Sequence, residues 1–583
     1  MGKRRRAGEG DGEEDTTTAD DVEMGEKEKR LQRDKEGLAY FTINEIPPWY
    51  MCILFGFQHY LTMFGSNYLV PVLVTTWICV GDDVLSKSEI LNTAFFASGL
   101  TTLWQSQFGT RLPIVQGGTF SYLVPTFAIL SLEKWKCPEV PETNCTAVLM
   151  RNSTENVTFD REVWQVRMRE IQGAVIVSSL FQIVIGFTGL FGLILRFISP
   201  LVVTVVITLV GLSLFDGGLR LLIRALGHCY DVVLSVGLAW LLCYVLTITD
   251  VFPTDCNAVG YKARTDIRTR VLTDAQWFRF PRPLQWGTPT VSASSVFGML
   301  AGVLAGIIES VGDYYACARV SGAPPPPVHA INRGIGMEGL GCLWAGLIGT
   351  GNAVTSYSEN VGAIGLTRVG SRMVVVVGAL IIILFSLVGK FGALFVCMPD
   401  PITGGLFFVS FGMIVGVGLS NLSYVNMNVS RNVFILGFSL LTGLSIPRWL
   451  TANPGIIETG VFELNQILNV LMTTSMFLGG VVAAFLDNTI PGTSEERGLK
   501  AWKKQHSTPS GEIDTKAYLC YEIPKCSICI RRVRCFSFLP FCPPFKMRCG
   551  CCDQCRRSKR KPEEEEGADN PAFTNVVEID TVM

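Results

Sequence analysis

Residues 352–372 read Asn-Ala-Val-Thr-Ser-Tyr-Ser-Glu-Asn-Val-Gly-Ala-Ile-Gly-Leu-Thr-Arg-Val-Gly-Ser-Arg, and how that stretch is read decides the fold. Segments apolar enough to cross a membrane lie on both sides. Yet Ser356, Tyr357, Ser358, Glu359 and Asn360 stand in a row. In hydrocarbon, unpaired polar side chains and free backbone groups are costly, so such a run survives only inside protein or beside a watery cavity. Its small residues and glycines predict broken backbone, with a half-helix beginning near Glu359. The leading N–H groups of a half-helix are open to a ligand. The plainer alternative is an ordinary polar loop between spans.

A stretch of the same kind stands in the first half of the chain. Segment 113–132 begins with Val115-Gln-Gly-Gly-Thr-Phe120, where two glycines and β-favouring neighbours predict an extended piece before a helix. Paired broken segments, one per half, point to the binding site of an inverted-repeat transporter. Composition agrees. Of 583 residues, 49% are hydrophobic and 17% charged, and mean hydropathy is +0.36, which marks a polytopic membrane protein. A net charge of −1 says nothing about a polyanionic partner, and no nucleic acid is expected. No nucleophile triad, phosphate loop or metal-ligand cluster occurs in the spans, so an enzyme is not expected.

Hydropathy gives thirteen spans. The expected organisation is a disordered cytosolic N-terminus (1–45), first core helices (46–132) and an extracellular loop (133–168). A fourth core helix (169–190), first gate helices (191–250) and a second outer loop (251–288) follow. Second core helices (289–398), second gate helices (399–490) and a cytosolic cysteine-rich tail (491–583) complete the chain. Lys3-Arg-Arg-Arg6 is followed by no apolar stretch, so the first span acts as the targeting signal. That span carries Gln58 and His59 at bilayer depth, which is unusual; a hydrogen bond within the bundle is the bland reading of His59. Sequons at Asn144, Asn152 and Asn156 place the 133–168 loop outside and glycosylated, where Cys137 and Cys145 can pair. Arg111, Arg319, Arg333, Arg368, Arg372 and Arg431 then fall on the cytosolic side.

One stretch breaks the scheme. Residues 216–230 are too short and charged to span, since a crossing needs about 20 mostly apolar residues. Placing Arg220 and Arg224 at mid-bilayer would cost about 2.5–3.5 kcal/mol each. One gate span is therefore expected to be missing, and a shortened form that does not transport becomes one reading.

The chemistry centres on Glu309 and Asp313, four residues apart on an otherwise apolar helix and so on one face. Carboxylates at that depth either bind something or pair with a basic side chain. In the tail, nine cysteines follow residue 519 among arginines and lysines. Palmitoylation of a membrane-apposed tail and a zinc site at Cys526-Ser-Ile-Cys529 are both open. Thr581-Val-Met583 offers a short strand to a PDZ protein.

Glu359, Asn360, Gly362, Thr367 and Arg368 together resemble the signature of the nucleobase–ascorbate transporter family, and the resemblance runs from about Pro47 to Gly498. It implies an all-α fold of two inverted repeats of seven spans, with a core and a gate domain, and an assembly of two copies. It implies Glu309 as a substrate-binding carboxylate, Phe120 beside the broken third span with Thr119, and Tyr357 and Ser358 at the broken tenth. Relatives carrying ascorbate have Pro where Glu359 stands, whereas nucleobase carriers have Glu or Gln. The physics concurs, because a second carboxylate repels an anion, while a neutral nucleobase donates N–H to carboxylates and stacks on Phe120. Bacterial proton-coupled relatives have His where Asp313 stands. Asp offers hard oxygen ligands suited to sodium, with His59 or Gln58 orienting it. Glu338 lies near a further acidic position of the nucleobase carriers. The expectation is thus a plasma-membrane sodium–nucleobase symporter needing no cofactor beyond the coupling ion, with ascorbate transport as the near rival.

Overall fold

The computed structural model describes residues 41–81, 83–138, 161–194, 198–222, 232–255, 258, 260–500, 517–523 and 540–542. The sequons, Cys145, residues 223–231, the cysteine cluster beyond 542 and the C-terminal triplet lie outside the described residues.

The first half runs α1 (Trp49–Trp77), α2 (Val84–Gln107), β1 (Gln116–Gly118), a 3-10 turn (Phe120–Tyr122) leading into α3 (Leu123–Leu130), α4 (Glu162–Thr188), α5 (Pro200–Leu222) and α6 (Val232–Ile248). The second half runs α7 (Ala293–Val320), α8 (Val328–Ile348), β2 (Val354–Ser356), α9 (Ser358–Thr367), α10 (Arg372–Leu387), α11 (Gly389–Val396), α12 (Asp400–Ser420), α13 (Ser430–Ala452), α14 (Phe462–Thr473) and α15 (Ser475–Thr489). Among the described residues, four helices are by themselves long and apolar enough to cross a bilayer: α4, α7, α12 with the turn after it, and α13. The pair α14 and α15, bent by 79°, adds a fifth. The remaining spans of the hydropathy reading are shorter or more polar, as suits helices sunk in a bundle.

The two halves meet at β1 and β2, which pair antiparallel with Gln116 opposite Ser356 and Gly118 opposite Val354. Each strand precedes a half-helix in its own half. Corresponding strands that run antiparallel are what a pseudo-two-fold axis in the membrane plane produces, so the two halves form an inverted repeat. α4 packs along α8, and α10 lies on α1 and α2, forming a core. α5 packs along α12 and α15, and α13 on α15, forming a gate. α7 belongs to the core and also touches α14 of the gate. At Gly56 a Cβ would come within 2.9 Å of the Gly378 backbone, so α1 and α10 approach as only glycine permits.

Local chemistry sets the boundaries. α2 starts six residues before the predicted Ile90 because Asp83 caps it, accepting from Ser86 N at 3.0 Å. α4 reaches back to Glu162, into the predicted outer loop, and ends at Gly189 with φ of 71°. The first gate helices, expected from 191 onward, do not open at that residue. Phe191–Ile194 is a separate turn, and the long helix opens at Pro200, which has no N–H to contribute and suits a first helical position. The disulfide expectation is corrected too, since Cys137 is bonded to Cys79 in the loop between α1 and α2. Among the described residues, two helices stand between 198 and 250, against α12, α13 and the bent α14–α15 pair in the second half.

Candidate functional site

The broken segments satisfy their backbone through neighbouring side chains, as protein at bilayer depth must. Thr102 Oγ1 accepts from Gln116 N at 2.9 Å, and Asn67 Oδ1 accepts from Gly118 N at 3.2 Å. Asn352 Nδ2 donates to Thr119 O at 2.8 Å, and Tyr357 N donates to Val115 O at 3.0 Å. The Tyr357 hydroxyl donates to Gly118 O at 2.8 Å. A Cβ on Gly117 would lie 2.5 Å from the Tyr357 ring, so that glycine is required by the crossing.

Beside the crossing lies a cavity of about 880 Å³. Thr119, Phe120, Glu309, Asp313, Tyr357, Ser358 and Glu359 all line it, so the structure brings these seven sequence-predicted residues together. Its gate wall is apolar, including Val203, Ile207, Met413 and Ile414, and Arg319 lies on its rim. Gly322, Ala323, Pro325 and Tyr424, in the segments that follow α7 and α12, line it as well.

Each carboxylate is held by a serine. Glu309 accepts from Ser121 at 2.9 Å, Glu359 from Ser66 at 2.9 Å, and Asp313 from Ser356 at 2.9 Å. The serines fix carboxylates that each keep lone pairs for a donor in the cavity. α9 begins at Ser358 without a side-chain cap, so its first N–H groups face the cavity as donors. The Phe120 ring lies edge-on to Phe411 of the gate, centroids 5.7 Å apart. Around Asp313, Ser310 and Ser356 are 3.1 Å apart and Ser310 and Thr355 2.7 Å apart. This nook gathers one carboxylate and three hydroxyls. Among the described residues no group of three or more His, Cys, Asp or Glu is placed to hold a metal.

Three predicted residues stand elsewhere. His59 is buried away from Asp313. Asn360 Nδ2 lies 3.1 Å from its Nδ1 and donates to its carbonyl at 2.9 Å, so the pair anchors the start of α9 to α1. Gln58 is half-buried on α1 and does not line the cavity. Glu338 sits behind the cavity, accepting from Ser310 at 2.6 Å, Gln182 at 3.0 Å and Tyr314 at 3.1 Å. In the signature, Thr367 donates to Ala363 O at 2.9 Å. Arg368 takes the left-handed conformation that ends α9, with φ of 55°. The holding serines Ser66 and Ser121 escaped sequence reasoning.

A second cavity, about 970 Å³, lies on the opposite side of the contact between Tyr68 and Thr403, whose hydroxyls are 3.2 Å apart. Lys87, Lys262, Arg268 and Arg448 line it, with Asp400 as its acid.

Comparison with known proteins agrees with this geometry. The model of the Permease family (Xan_ur_permease) matches residues 51–228 and 219–452. Solute carrier family 23 member 2 of Mus musculus is 47% identical over 87% of this chain and 82% of its own length. Solute carrier family 23 member 1 of Mus musculus is 46% identical over 87% and 89%. Nucleobase-ascorbate transporter 1 of Arabidopsis thaliana is 36% identical over 80% and 92%. Among solved structures, the murine Solute Carrier 26 family member A9 anion transporter in the inward-facing state aligns with a TM-score of 0.46 at 12% identity, over 82% of this chain and 73% of that one. This chain belongs to the nucleobase–ascorbate transporter family, solute carrier family 23, and is a multi-pass membrane transporter rather than an enzyme.

Proposed function

We propose that the chain is a sodium-coupled symporter of neutral nucleobases at the plasma membrane. The observation that carries this reading is the meeting of Glu309, Glu359 and Phe120 around one cavity. Two carboxylates accept from the ring N–H groups of a pyrimidine or oxopurine, and the α9 N–H groups donate to its carbonyls. Phe120 contacts the flat ring. Sodium binds at Asp313 with the hydroxyls of Ser310, Thr355 and Ser356, which ties the ion to β2 and so to the substrate. In this reading the cavity opens to the cytosol past Gly322, Ala323 and Pro325, and the contact between Tyr68 and Thr403 closes the path to the outside. Core and gate then shift against each other to alternate access. Pairing of two chains, an outer glycosylated loop and a PDZ partner for the tail belong to the same proposal.

The basic outer cavity favours a second reading, uptake of the ascorbate anion, because clefts of one sign concentrate ions of the other. The two-helix first gate arm favours a third, a shortened form that binds without transporting. Ligand-dependent melting of purified protein separates these. Hypoxanthine at a hundredfold its Kd adds about 2.7 kcal/mol of stability, and the expected shift needs sodium. A shift with ascorbate and none with any nucleobase would reject the first reading. A nucleobase shift without cellular uptake would support the third.

A further inference from the structure

On the face assigned to the cytosol, the tail comes back to the core. Residues Ala517–Tyr521 form a 3-10 turn in which Cys520 is 3% and Tyr521 0% exposed. Three buried arginines receive it. Arg372 Nη2 donates to Cys520 O at 2.9 Å, and Arg333 Nη2 donates to Tyr521 O at 2.6 Å. Their Nε atoms donate to Arg111 O at 2.8 Å and Gly109 O at 2.7 Å. Arg111 is itself buried, and its Nε has no hydrogen-bond partner among the described residues. Buried guanidinium groups are costly without acceptors, and the tail carbonyls supply two. Asn332 Nδ2 donating to Pro540 O at 3.2 Å, and Phe541 edge-on to Phe187, extend the docking along α8 and α4. Burial pushes the Cys520 thiol up to about 11, with Arg372 and Arg111 drawing it back, so it stays protonated.

Tyr521 reaches furthest. Its hydroxyl donates to Pro324 O at 2.5 Å. Pro324–Pro327 is four successive residues without N–H groups, so the turn offers no backbone donor of its own. At its far end Pro327 O accepts from Ala330 N at 2.8 Å and Ile331 N at 3.1 Å, at the start of α8, while at Pro324 the donor comes from the tail. The same turn joins α7, which carries Glu309 and Asp313, to α8, and at Gly322, Ala323 and Pro325 it lines the site cavity. Residues just before the tail belong to the gate instead: Arg497 pairs with Asp487 at 2.8 Å, and Asn432 donates to Glu496 O at 2.7 Å.

We propose that Tyr521 is a positioning residue for transport: the tail segment 517–521, seated on Arg333 and Arg372, straps the Pro324 turn and sets the cytosolic mouth through which substrate leaves. The role at the mouth rests on the transport reading above. The experiment uses the full chain and Tyr521→Phe, which keeps the ring and removes the hydroxyl. Maleimide labelling of Cys520, read by peptide mass spectrometry in permeabilised cells, reports docking. The KM for labelled hypoxanthine, measured from each side in right-side-out and inside-out vesicles, reports the mouth. One hydrogen bond is worth roughly a three- to tenfold change, so labelling accelerates by about that factor. The cytosolic-side KM shifts by about threefold or more, and the external KM stays within about twofold. A purely structural role would lower Vmax in both directions and leave both KM values in place, which overturns the proposal. Unchanged labelling overturns it as well. If the unmutated chain carries substrate in neither direction, the transport reading fails, and labelling alone decides: faster in the variant retains the strap, equal rates remove it. Arg372→Lys, which keeps the charge and loses the forked donor, is expected to match Tyr521→Phe.

Discussion

The two broken segments share a backbone and differ in chemistry. Both run from strand to half-helix, and they pair with each other through β1 and β2. The first arm brings Thr119, Phe120 and Ser121, hydroxyls and an aromatic ring without charge. The second brings Tyr357, Ser358, Glu359 and Asn360, with a carboxylate in the first turn of its helix. α7 stands between them and holds one arm with each carboxylate: Glu309 takes Ser121, and one turn on Asp313 takes Ser356. Duplication supplies the scaffold. The departures from symmetry supply the site, with a stacking wall on one side, ion and hydrogen-bond acceptors on the other.

Breaking the comparison at its most asymmetric point gives the largest effect. Asp313→Asn keeps the shape and removes the charge that would neutralise sodium. Uptake is expected to fall to background, or to persist without sodium dependence, in a sodium-replacement assay. Sodium-driven uptake at the unmutated rate would show that the second arm is not the ion's side. Next comes Glu359→Gln, which exchanges an acceptor-only group for a mixed one. Hydrogen bonds to charged groups are worth roughly 1.5–3 kcal/mol, so nucleobase uptake drops about tenfold or more. The measurement is KM and Vmax normalised to surface protein, and a change below about twofold would remove Glu359 from recognition.

Much of this asymmetry is legible in the sequence. A polar run flanked by membrane-length apolar segments admits few solutions, so the crossing at 352–372 and its counterpart at 115–120 follow from hydrogen-bond accounting. Glu309 and Asp313 share a face by their spacing, and both line the cavity. What the sequence hides is which hydroxyl meets which carboxylate. Ser66, Ser121 and Ser356 differ in nothing local from dozens of other serines and threonines, and only the fold selects them. His59 was noticed for its depth, yet its partner is Asn360, 301 positions away. Cys79 and Cys137 are paired by the approach of two loops, not by a motif. The docking of Tyr521 is not legible in the sequence, because a five-residue Ala-Tyr-Leu-Cys-Tyr stretch in a basic tail reads as solvated chain.

Sharpening the comparison from the first arm gives a smaller effect. Phe120→Ala removes the stacking wall, though Phe411 already occupies one edge of the ring. The low end of base stacking, about 1 kcal/mol, predicts a KM raised by about fivefold with Vmax little changed. An unchanged KM would move the ring-binding wall elsewhere. Smaller still is Ser66→Ala, which frees the Glu359 carboxylate from its 2.9 Å donor. Because water at the cavity replaces that donor, uptake affinity weakens by about threefold at most. A loss equal to that of Glu359→Gln would mean that the serine, not the carboxylate, carries recognition.

The most direct measurement is uptake of radiolabelled uracil and of radiolabelled ascorbate, side by side, in cells expressing the unmutated chain, with sodium and with choline in its place. The account predicts uracil uptake above background in sodium, its loss in choline, and no ascorbate uptake in either. Ascorbate uptake with none of uracil would contradict it.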